Sequence, residues 1–471
     1  MKRPWLWLIG GLAIVAIVLV AGQGDFVASD PLWYADISHT VAHGGWGVFS
    51  PAEVHPFVMR VGLTLPLALI FKLFGVSTLT ANLPAIVSGL ACIVLAYLAV
   101  ETPRAKVLAV FFTVTCGALM RQSDLLNIDL PCATLLGYSV LFMARRERGP
   151  AWLVAGVVAV VAAFLVKETA VWCAPIWLWA FVVDVRELGL ARAARGYLPA
   201  VVVGVVLIAA YLVVCAKVWG DPLARFHGIE EVSGEHAWTL QGKPTSVWLT
   251  RLTYAVPVLL WKMYGVALVP ALAAAVLIRG RQAIWLVATG TYLFLYWFGS
   301  VSLASYSPLP ISERMATNIV PCVLICASLA TDAALDRWRG ARYVAAVLGV
   351  VLVAMIARVD WSMVKRSTPE TETLARFRKI VDEAPGSVVL VCANTRGSAI
   401  ANFYFGLDTP AKLTYANAET YSKEQNPPNA RVYVFLNTPR AERIDGLNLP
   451  AVMTSKLVRL YDAGDGTALS Q

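Results

Sequence analysis

The sequence predicts an all-α polytopic membrane protein with about 11 transmembrane helices, interfacial helices and a small C-terminal α/β extracytoplasmic domain. Three observations support this fold class. Of the 471 residues, 58% are hydrophobic and 15% are charged, the mean hydropathy is +0.66, and the long apolar runs all lie before residue 360. Soluble domains have roughly 45–50% apolar and about a quarter charged residues, so a soluble fold is excluded. We predict a membrane domain over residues 1–359 and a soluble domain over residues 360–471.

The apolar runs define the predicted spans, because a helix needs roughly 20 residues to cross the hydrocarbon core. The first run, Trp5 to Ala21, follows Lys2 and Arg3. It could be the apolar region of a signal peptide, but we interpret it as an uncleaved helix. The other predicted spans are residues 78–100, 107–120, 130–144, 151–166, 169–183, 197–216, 266–278, 283–300, 317–333 and 343–359.

The basic residues predict the orientation. With the N-terminus in the cytoplasm, every strong Lys and Arg cluster between spans falls on the cytoplasmic side, as the positive-inside rule requires. This topology needs the segment Phe57 to Phe74 not to cross the membrane. Its Arg60, Pro66 and Lys72 argue against a lipid-facing span, so we interpret it as a re-entrant or interfacial helix. The predicted location is the cell inner (cytoplasmic) membrane, with the C-terminal domain outside.

Two large outer loops follow from this topology, residues 22–57 and 218–262, and they hold all five histidines. In the tail, Glu370 to Glu383 has a helical pattern, and residues 387–391, 431–436 and 455–461 are typical of strands. The basic residues form short clusters rather than one stripe, so the net charge of +9 indicates topology and not nucleic-acid binding. Seven of the eight cysteines lie in apolar runs, which excludes a disulfide framework.

An acidic residue directly after the first span is a candidate for chemistry. Asp30 lies where an apolar wall could hold a carboxylate beside a hydroxyl nucleophile. The alternative is that Asp30 only caps a helix opened by Pro31. The pattern by itself leaves both interpretations open.

The order of several motifs resembles that of a known family. The stretch Asp30 to Trp46, then His55-Pro56, then Ala68 to Leu83 resembles the opening of the GT-C membrane glycosyltransferases. The similarity is to the dolichyl-phosphate-mannose protein mannosyltransferase and aminoarabinose transferase group. It continues through Asp129-Leu130-Pro131, Lys167, and Glu313-Arg314 with Ile319-Val320-Pro321. Three positions depart from the family pattern: Pro31 replaces a Glu, Phe57 a second Pro, and Asn82 an Arg.

The resemblance implies roles for these residues. Asp30 would be the catalytic base for an inverting displacement, and Asp129 a second catalytic or acceptor-positioning acid. Lys167, Arg314 and His55 would bind the donor phosphate. The alternatives are that Lys167 snorkels, that Lys167 pairs with Glu168 and Arg314 with Glu313, and that Asp129 caps its helix.

Further candidates lie in the predicted outer loops. Tyr34, His227 and His236 would contact substrate. His39 and His43 have the i, i+4 spacing that lets two side chains share one metal ion, although polar surface histidines have the same spacing. No cofactor is certain, and a divalent metal ion is left open.

These observations predict a glycosyltransferase that takes a sugar from a polyprenyl-phosphate donor. Its expected partners are the polyprenyl-phosphate-linked sugar, membrane lipids, and a lipid or glycan acceptor of the cell envelope, with a protein acceptor less favoured and no nucleic acid. The alternative from another class is a secondary transporter or lipid flippase, which would bury charges near the bilayer midplane. A third is a noncatalytic assembly subunit, in which Asp30 would be dispensable.

Overall fold

The structure is a computed structural model that describes most of the chain. The described residues are 3–22, 29–44, 57–235, 245–300, 308–338, ten residues between 340 and 354, and 369–464 without 393–394, 408–409, 418–420, 437–450 and 455–458. The chain forms two compact units. The first unit comprises Met1–Gly22, Gly44–Pro66 and Asn82–Met363, and the second comprises Gln23–His43, Leu67–Ala81 and Val364–Gln471.

Apolar helices dominate the chain before the tail, because long Ala, Val and Leu runs favour helices whose backbone polar groups are paired internally. In chain order the helices of this part, apolar and polar together, are α1 Trp5–Ala21, α2 Ser29–Gly44, α3 Val61–Phe74, α4 Thr78–Ala99, α5 Pro103–Val114, α6 Gly117–Ser123, α7 Asp129–Ala144, α8 Pro150–Val166, α9 Ala174–Leu188, α10 Leu190–Trp219, α11 Ala224–Glu235, α12 Thr245–Thr250, α13 Val256–Tyr264, α14 Leu268–Leu277, α15 Ala283–Phe298 and α16 Val320–Arg337.

Within the described residues, five helical stretches are long and apolar enough to cross a membrane, or six if the bent pair α5 and α6 is one span. They are Thr78–Ala99, Glu168–Leu188, Leu190–Trp219, Thr245–Leu277 and Thr317–Arg337. Shorter apolar helices are α1, α3, α7 and α8. The predicted helical membrane architecture with a small C-terminal sheet is confirmed, whereas the number of spans, the division at residue 359 and the orientation of the termini stay predictions.

The segment predicted as a second outer loop, residues 218–262, is largely helical over its described residues, 218–235 and 245–262. It contains α11, and its second half belongs to Thr245–Leu277, a helical stretch of 33 residues with a π-helical turn at Arg251–Ala255. At the level of sequence, the charge of Arg251 argues against a membrane-spanning helix at this position. In the fold its guanidinium donates to the carbonyl oxygens of Leu309 at 2.7 Å and Tyr296 at 3.1 Å, so backbone groups of the protein take the place of water as hydrogen-bond acceptors.

Two apolar clusters hold the first unit together. Val15 and Leu19 of α1 pack with Ile86 and Ile93 of α4 and with residues of α5 and α6. Tyr197 of α10 joins the cluster that brings α8, α9 and α10 together. These contacts pack α1 against α4, α5 and α6, and the first half of α8 against α9 and α10.

The second unit contains α2 and the tail. In the tail, α17 (Pro369–Glu383) and α18 (Thr395–Tyr404) accompany five strands: β1 Val388–Cys392, β2 Leu413–Asn417, β3 Arg431–Leu436, β4 Ala451–Thr454 and β5 Arg459–Asp462. The sheet order is β2-β1-β3-β5-β4, with β2, β1 and β3 parallel and the last two strands antiparallel. The predicted α/β character of the tail is confirmed.

Candidate active site

A buried carboxylate between two cations lies where three helical elements of the first unit meet. Asp129 is the first residue of α7, Lys167 directly follows α8, and Arg314 precedes α16. Asp129 is fully buried and forms an ion pair with the Lys167 ammonium. Its Oδ2 accepts from Nε of Arg314 at 2.7 Å. Two positively charged side chains therefore contact one buried carboxylate.

The start of α7 leaves the Asp129 carboxylate available for these cations. The backbone N–H of Leu130 donates to Oδ1 of Asn127 at 2.9 Å. The Asn127 amide donates in turn to the carbonyl oxygens of Gln122 and Leu125 at 2.7 and 2.6 Å. The alternative in which Asp129 caps its own helix is therefore wrong, because Asn127 does so.

A second cluster surrounds Glu168. The Arg60 guanidinium donates to both carboxylate oxygens, from Nε at 3.1 Å and from an Nη at 3.2 Å, and Nε of Arg225 donates at 3.0 Å. Arg225 is 1% exposed and its guanidinium lies 4.8 Å from the ring centroid of Phe164. Its Nη1 and Nη2 are buried and have no hydrogen bond of good geometry among the described residues, and the Tyr211 hydroxyl lies close to this guanidinium. Two positively charged side chains thus contact one carboxylate here.

Adjacent residues serve the two clusters because the backbone is extended where α8 ends. Lys167 has φ −150° and ψ 141°, and successive side chains of an extended chain point in opposite directions. Lys167 consequently reaches Asp129, while Glu168 reaches the two arginines. The alternative of a Lys167–Glu168 pair is wrong.

Gly62 lets Arg60 approach Glu168. A Cβ atom at Gly62 would lie 2.8 Å from the backbone carbonyl carbon of Leu165 and the nitrogen of Val166. The first turn of α3 therefore contacts the backbone at the end of α8 in a way that only glycine permits.

Glu313 pairs with a distant residue as well. Its Oε2 accepts from Nη2 and Nε of Arg121 at 2.9 and 3.0 Å, which overturns the alternative of a Glu313–Arg314 pair. The grouping of Arg60, Glu168 and Arg225 was not predicted from the sequence. Its available signal was the presence of unlike charges at the ends of apolar runs.

Asp30 and Tyr34 lie in the second unit, on α2. Asp30 is in its first turn and half-buried, and Tyr34 is fully buried. On the same helix, the rings of His39 and His43 lie 4.2 Å apart between centroids, and Nδ1 of His43 donates to the His39 carbonyl oxygen at 2.9 Å. Within the described ranges, no group of three or more His, Cys, Asp or Glu side chains is placed to hold a metal ion.

His227 lies exposed on α11, with Nδ1 2.7 Å from Oδ2 of Asp221. The Leu223 backbone N–H and this histidine hold the pKa of the Asp221 carboxyl below its usual value. His55 and His236 lie outside the described residues. Of the predicted site residues, the structure thus groups Asp129, Lys167 and Arg314, while the roles of all the candidates stay predictions.

Comparisons with known proteins agree with this architecture. A family model of dolichyl-phosphate-mannose-protein mannosyltransferase matches residues 56–213. The structure of ArnT from Cupriavidus metallidurans in the apo state matches with a TM-score of 0.67 at 14% identity, covering 99% of each chain. ArnT bound to undecaprenyl phosphate gives 0.62 at 16% identity over 100% of each chain.

A more distant similarity is to the oligosaccharyltransferase of Archaeoglobus fulgidus in its apo form. Its TM-score is 0.52 at 13% identity, covering 93% of this chain and 70% of that chain. No curated protein sequence matches the chain. Identities this low establish the fold, and the resemblance predicted from the order of the sequence motifs is confirmed.

Proposed function

The chain has the GT-C membrane glycosyltransferase fold, and on this premise we propose that it transfers a sugar from a polyprenyl-phosphate donor to a cell-envelope lipid or glycan. The observation that carries the proposal is the pair of adjacent clusters in the first unit, each with two cations around one carboxylate. Both lie at the ends of apolar helices, where the phosphate of a membrane-embedded carrier would meet the protein.

The charge of the two clusters suits the charge that develops during transfer. A polyprenyl-phosphate sugar is a phosphodiester with one negative charge, and its departing phosphate is a monoester that approaches two negative charges near pH 7. Cations placed around the phosphate favour the departing phosphate, with its higher negative charge, over the intact donor. Such preorganised charges are usually the largest contribution to catalysis.

Arg225 has the clearest capacity to bind an anion. Glu168 occupies only its Nε, and the terminal nitrogens are buried donors with no described hydrogen-bond partner. A buried guanidinium left in this state costs free energy, which two hydrogen bonds to phosphate oxygens would offset. Lys167 and Arg314 would contribute from the neighbouring cluster, where Asp129 holds both.

The geometry favours a positioning role for Asp129. A carboxylate already paired with two cations is a weak proton acceptor, so it is poorly suited to activate a hydroxyl. Asp30, assigned by resemblance, is the proposed base. The acceptor oxygen forms a bond to the anomeric carbon, the bond from that carbon to the phosphate oxygen breaks with its electron pair, and the proton goes to Asp30. Inversion follows, and the base contributes roughly 10²–10⁴-fold.

A lipid flippase is the competing function. Transport would favour ionisable groups near the middle of broken helices. Among the described residues, the clustered ion pairs lie instead at helix ends, at the start of α7, the end of α8 and the start of α16. This placement supports transfer over transport.

The test measures transfer of labelled sugar from a panel of polyprenyl-phosphate donors in membranes with matched amounts of protein. Asp30→Asn removes the base at constant size, and Arg225→Gln removes the proposed phosphate ligand. Arg146→Gln is the matched control, because Arg146 also donates two short hydrogen bonds to a carboxylate, that of Asp184, far from α8's end.

Wild-type transfer that falls by roughly 10²-fold or more in Asp30→Asn and Arg225→Gln, but persists in Arg146→Gln, supports the proposal. Retained activity in Asp30→Asn removes that residue from the mechanism. Movement of donor lipid across vesicles without sugar transfer from any donor would establish the flippase instead.

A further inference from the structure

A second cationic site lies in the first unit, at the opposite ends of the same helices. A cavity of about 280 Å³ is lined by the last residues of α4 and α7 and the first turns of α5 and α15. The helix α7 runs from Asp129 to Ala144, and Ala144 lines the cavity. At 1.5 Å per residue the two sites are roughly 22 Å apart along the helix axis. The cavity therefore has no part in the proposed sugar transfer.

Positive charge predominates around this cavity. Its lining contains four cationic side chains, those of Lys106, Arg145, Arg148 and Arg281, and two carboxylates, those of Glu101 and Glu147. Glu147 is already paired with Arg281. Two positive charges remain in excess.

The crowding of these cations affects the pKa of Arg145. Partial burial lowers the pKa of the Arg145 guanidinium, and repulsion from Arg148 lowers it further, although Glu101 opposes both effects. Arg145 is held in this position because its Nη2 donates to the carbonyl oxygen of Leu98 at 2.6 Å, at the C-terminal end of α4. An anion in the cavity would relieve this repulsion.

Aromatic rings place the cavity at the boundary between apolar and aqueous surroundings. Lys106 lies 5.0 Å from the ring centroid of Tyr97, and Arg145 and Arg148 lie 5.4 and 5.8 Å from that of Trp152. Trp and Tyr are enriched at membrane interfaces, and basic pockets between membrane helices bind anionic head groups. The apolar faces of the helices continue from the cavity, so acyl chains would lie alongside them.

We propose that this cavity, bounded by Lys106, Arg145, Arg148 and Arg281, binds a phosphate group, supplied either by an anionic membrane lipid or by a soluble phosphate ion. The volume suits a compact head group, since pockets for drug-sized ligands begin at roughly 300 Å³. The two excess positive charges outweigh the single negative charge of a phosphodiester head group and are close in size to the charge of a phosphate ion near pH 7. The site is independent of the proposed glycosyltransferase activity.

The experiment is native mass spectrometry of the detergent-solubilised full chain, titrated with phosphatidylglycerol, phosphatidylcholine or inorganic phosphate. Lys106→Gln/Arg148→Gln tests the site, because neither side chain forms a hydrogen bond to the backbone of the described residues that its loss would break. Arg192→Gln/Arg195→Gln is the control, since it removes two exposed arginines at the start of α10. Gel filtration checks that each variant is folded.

Each cation near a membrane surface contributes about 1 kcal/mol, or roughly 5-fold in affinity. We expect phosphatidylglycerol to bind the wild type more tightly than phosphatidylcholine does. We also expect phosphatidylglycerol to bind Lys106→Gln/Arg148→Gln roughly 25-fold more weakly than it binds the wild type. The control variant should bind as the wild type. If only inorganic phosphate binds more weakly to Lys106→Gln/Arg148→Gln than to the wild type, the cavity is a phosphate site and its ligand is soluble phosphate rather than a lipid. Equal binding of both ligands by the folded test and control variants overturns the proposal.

Discussion

Replacing Gly62 with alanine tests whether the close contact between α3 and α8 positions Arg60. The added Cβ would lie 2.8 Å from backbone atoms of Leu165 and Val166, whereas non-bonded carbon atoms pack at about 3.5–4.0 Å. The backbone of α3 must therefore retreat by about 0.7 Å or more. Because the contacted atoms belong to the backbone of α8, a side-chain rotation cannot relieve the overlap.

The displacement should weaken the contact between Arg60 and Glu168. The shorter of the two distances, 3.1 Å from Nε to Oε1, would lengthen to about 3.8 Å, outside the range of N–H···O hydrogen bonds. Overpacking of this kind costs about 1–3 kcal/mol of stability. A shift of about 1 Å near a reacting group lowers activity by up to roughly 10²-fold.

The assay compares Gly62→Ala with Gly290→Ala, since a Cβ at Gly290 has no neighbour within 4 Å. Apparent melting by fluorescence-detected gel filtration should fall for Gly62→Ala. It should stay or rise for Gly290→Ala, because alanine favours a helix interior over glycine by about 0.5–1 kcal/mol. Sugar transfer should fall only for Gly62→Ala.

A double-variant cycle identifies the route of the effect. If the alanine acts by displacing Arg60, then Gly62→Ala combined with Arg60→Gln transfers sugar no more slowly than Arg60→Gln alone. The reasoning is refuted if the fold-losses of activity of Gly62→Ala and Arg60→Gln multiply in the double variant. It is also refuted if Gly62→Ala and Gly290→Ala have equal apparent melting temperatures.

Two further predictions concern buried groups. Asp129→Asn leaves the Lys167 ammonium buried without its carboxylate and should lower the stability of the fold by about 3–5 kcal/mol. The apparent melting temperature should fall more for Asp129→Asn than for Asp184→Asn, because the Asp184 side chain is 11% exposed and that of Asp129 only 1%. Equal melting of the two variants would contradict this. Burial raises the pKa of the Cys392 thiol to about 12, so maleimide at pH 8 should modify this residue only in unfolded protein, measured by peptide mass spectrometry. Rapid labelling of the native protein would show that β1 is accessible.

Helix positions could be predicted from the sequence where apolarity is uninterrupted. The predicted Trp5 to Ala21 matches α1, and the predicted Leu130 to Ala144 differs from α7 by one residue. Exclusion of apolar side chains from water depends on residue type and local spacing, both of which the sequence contains. The helix through Arg251 was missed because its charge is satisfied by carbonyl groups from distant segments.

In the tail, alternating and helical patterns predicted the α/β fold class, but they did not predict the elements β2, β4 and α18. These elements are short, and a strand of four or five residues has little periodicity of its own. The pairing of β2 with β1, and of β4 with β5, is what stabilises these two strands.

For the site, the sequence by itself selected Asp129, Lys167 and Arg314 as candidates, because the order of motifs and the positions of helix ends are properties of the chain. Only the tertiary structure decided which charges meet. Lys167 bypasses its neighbour Glu168 for a carboxylate 38 residues away, and Glu168 pairs with an arginine 108 residues away. An ion pair depends on distance in space, and the packing of α3, α7 and α8 determines that distance.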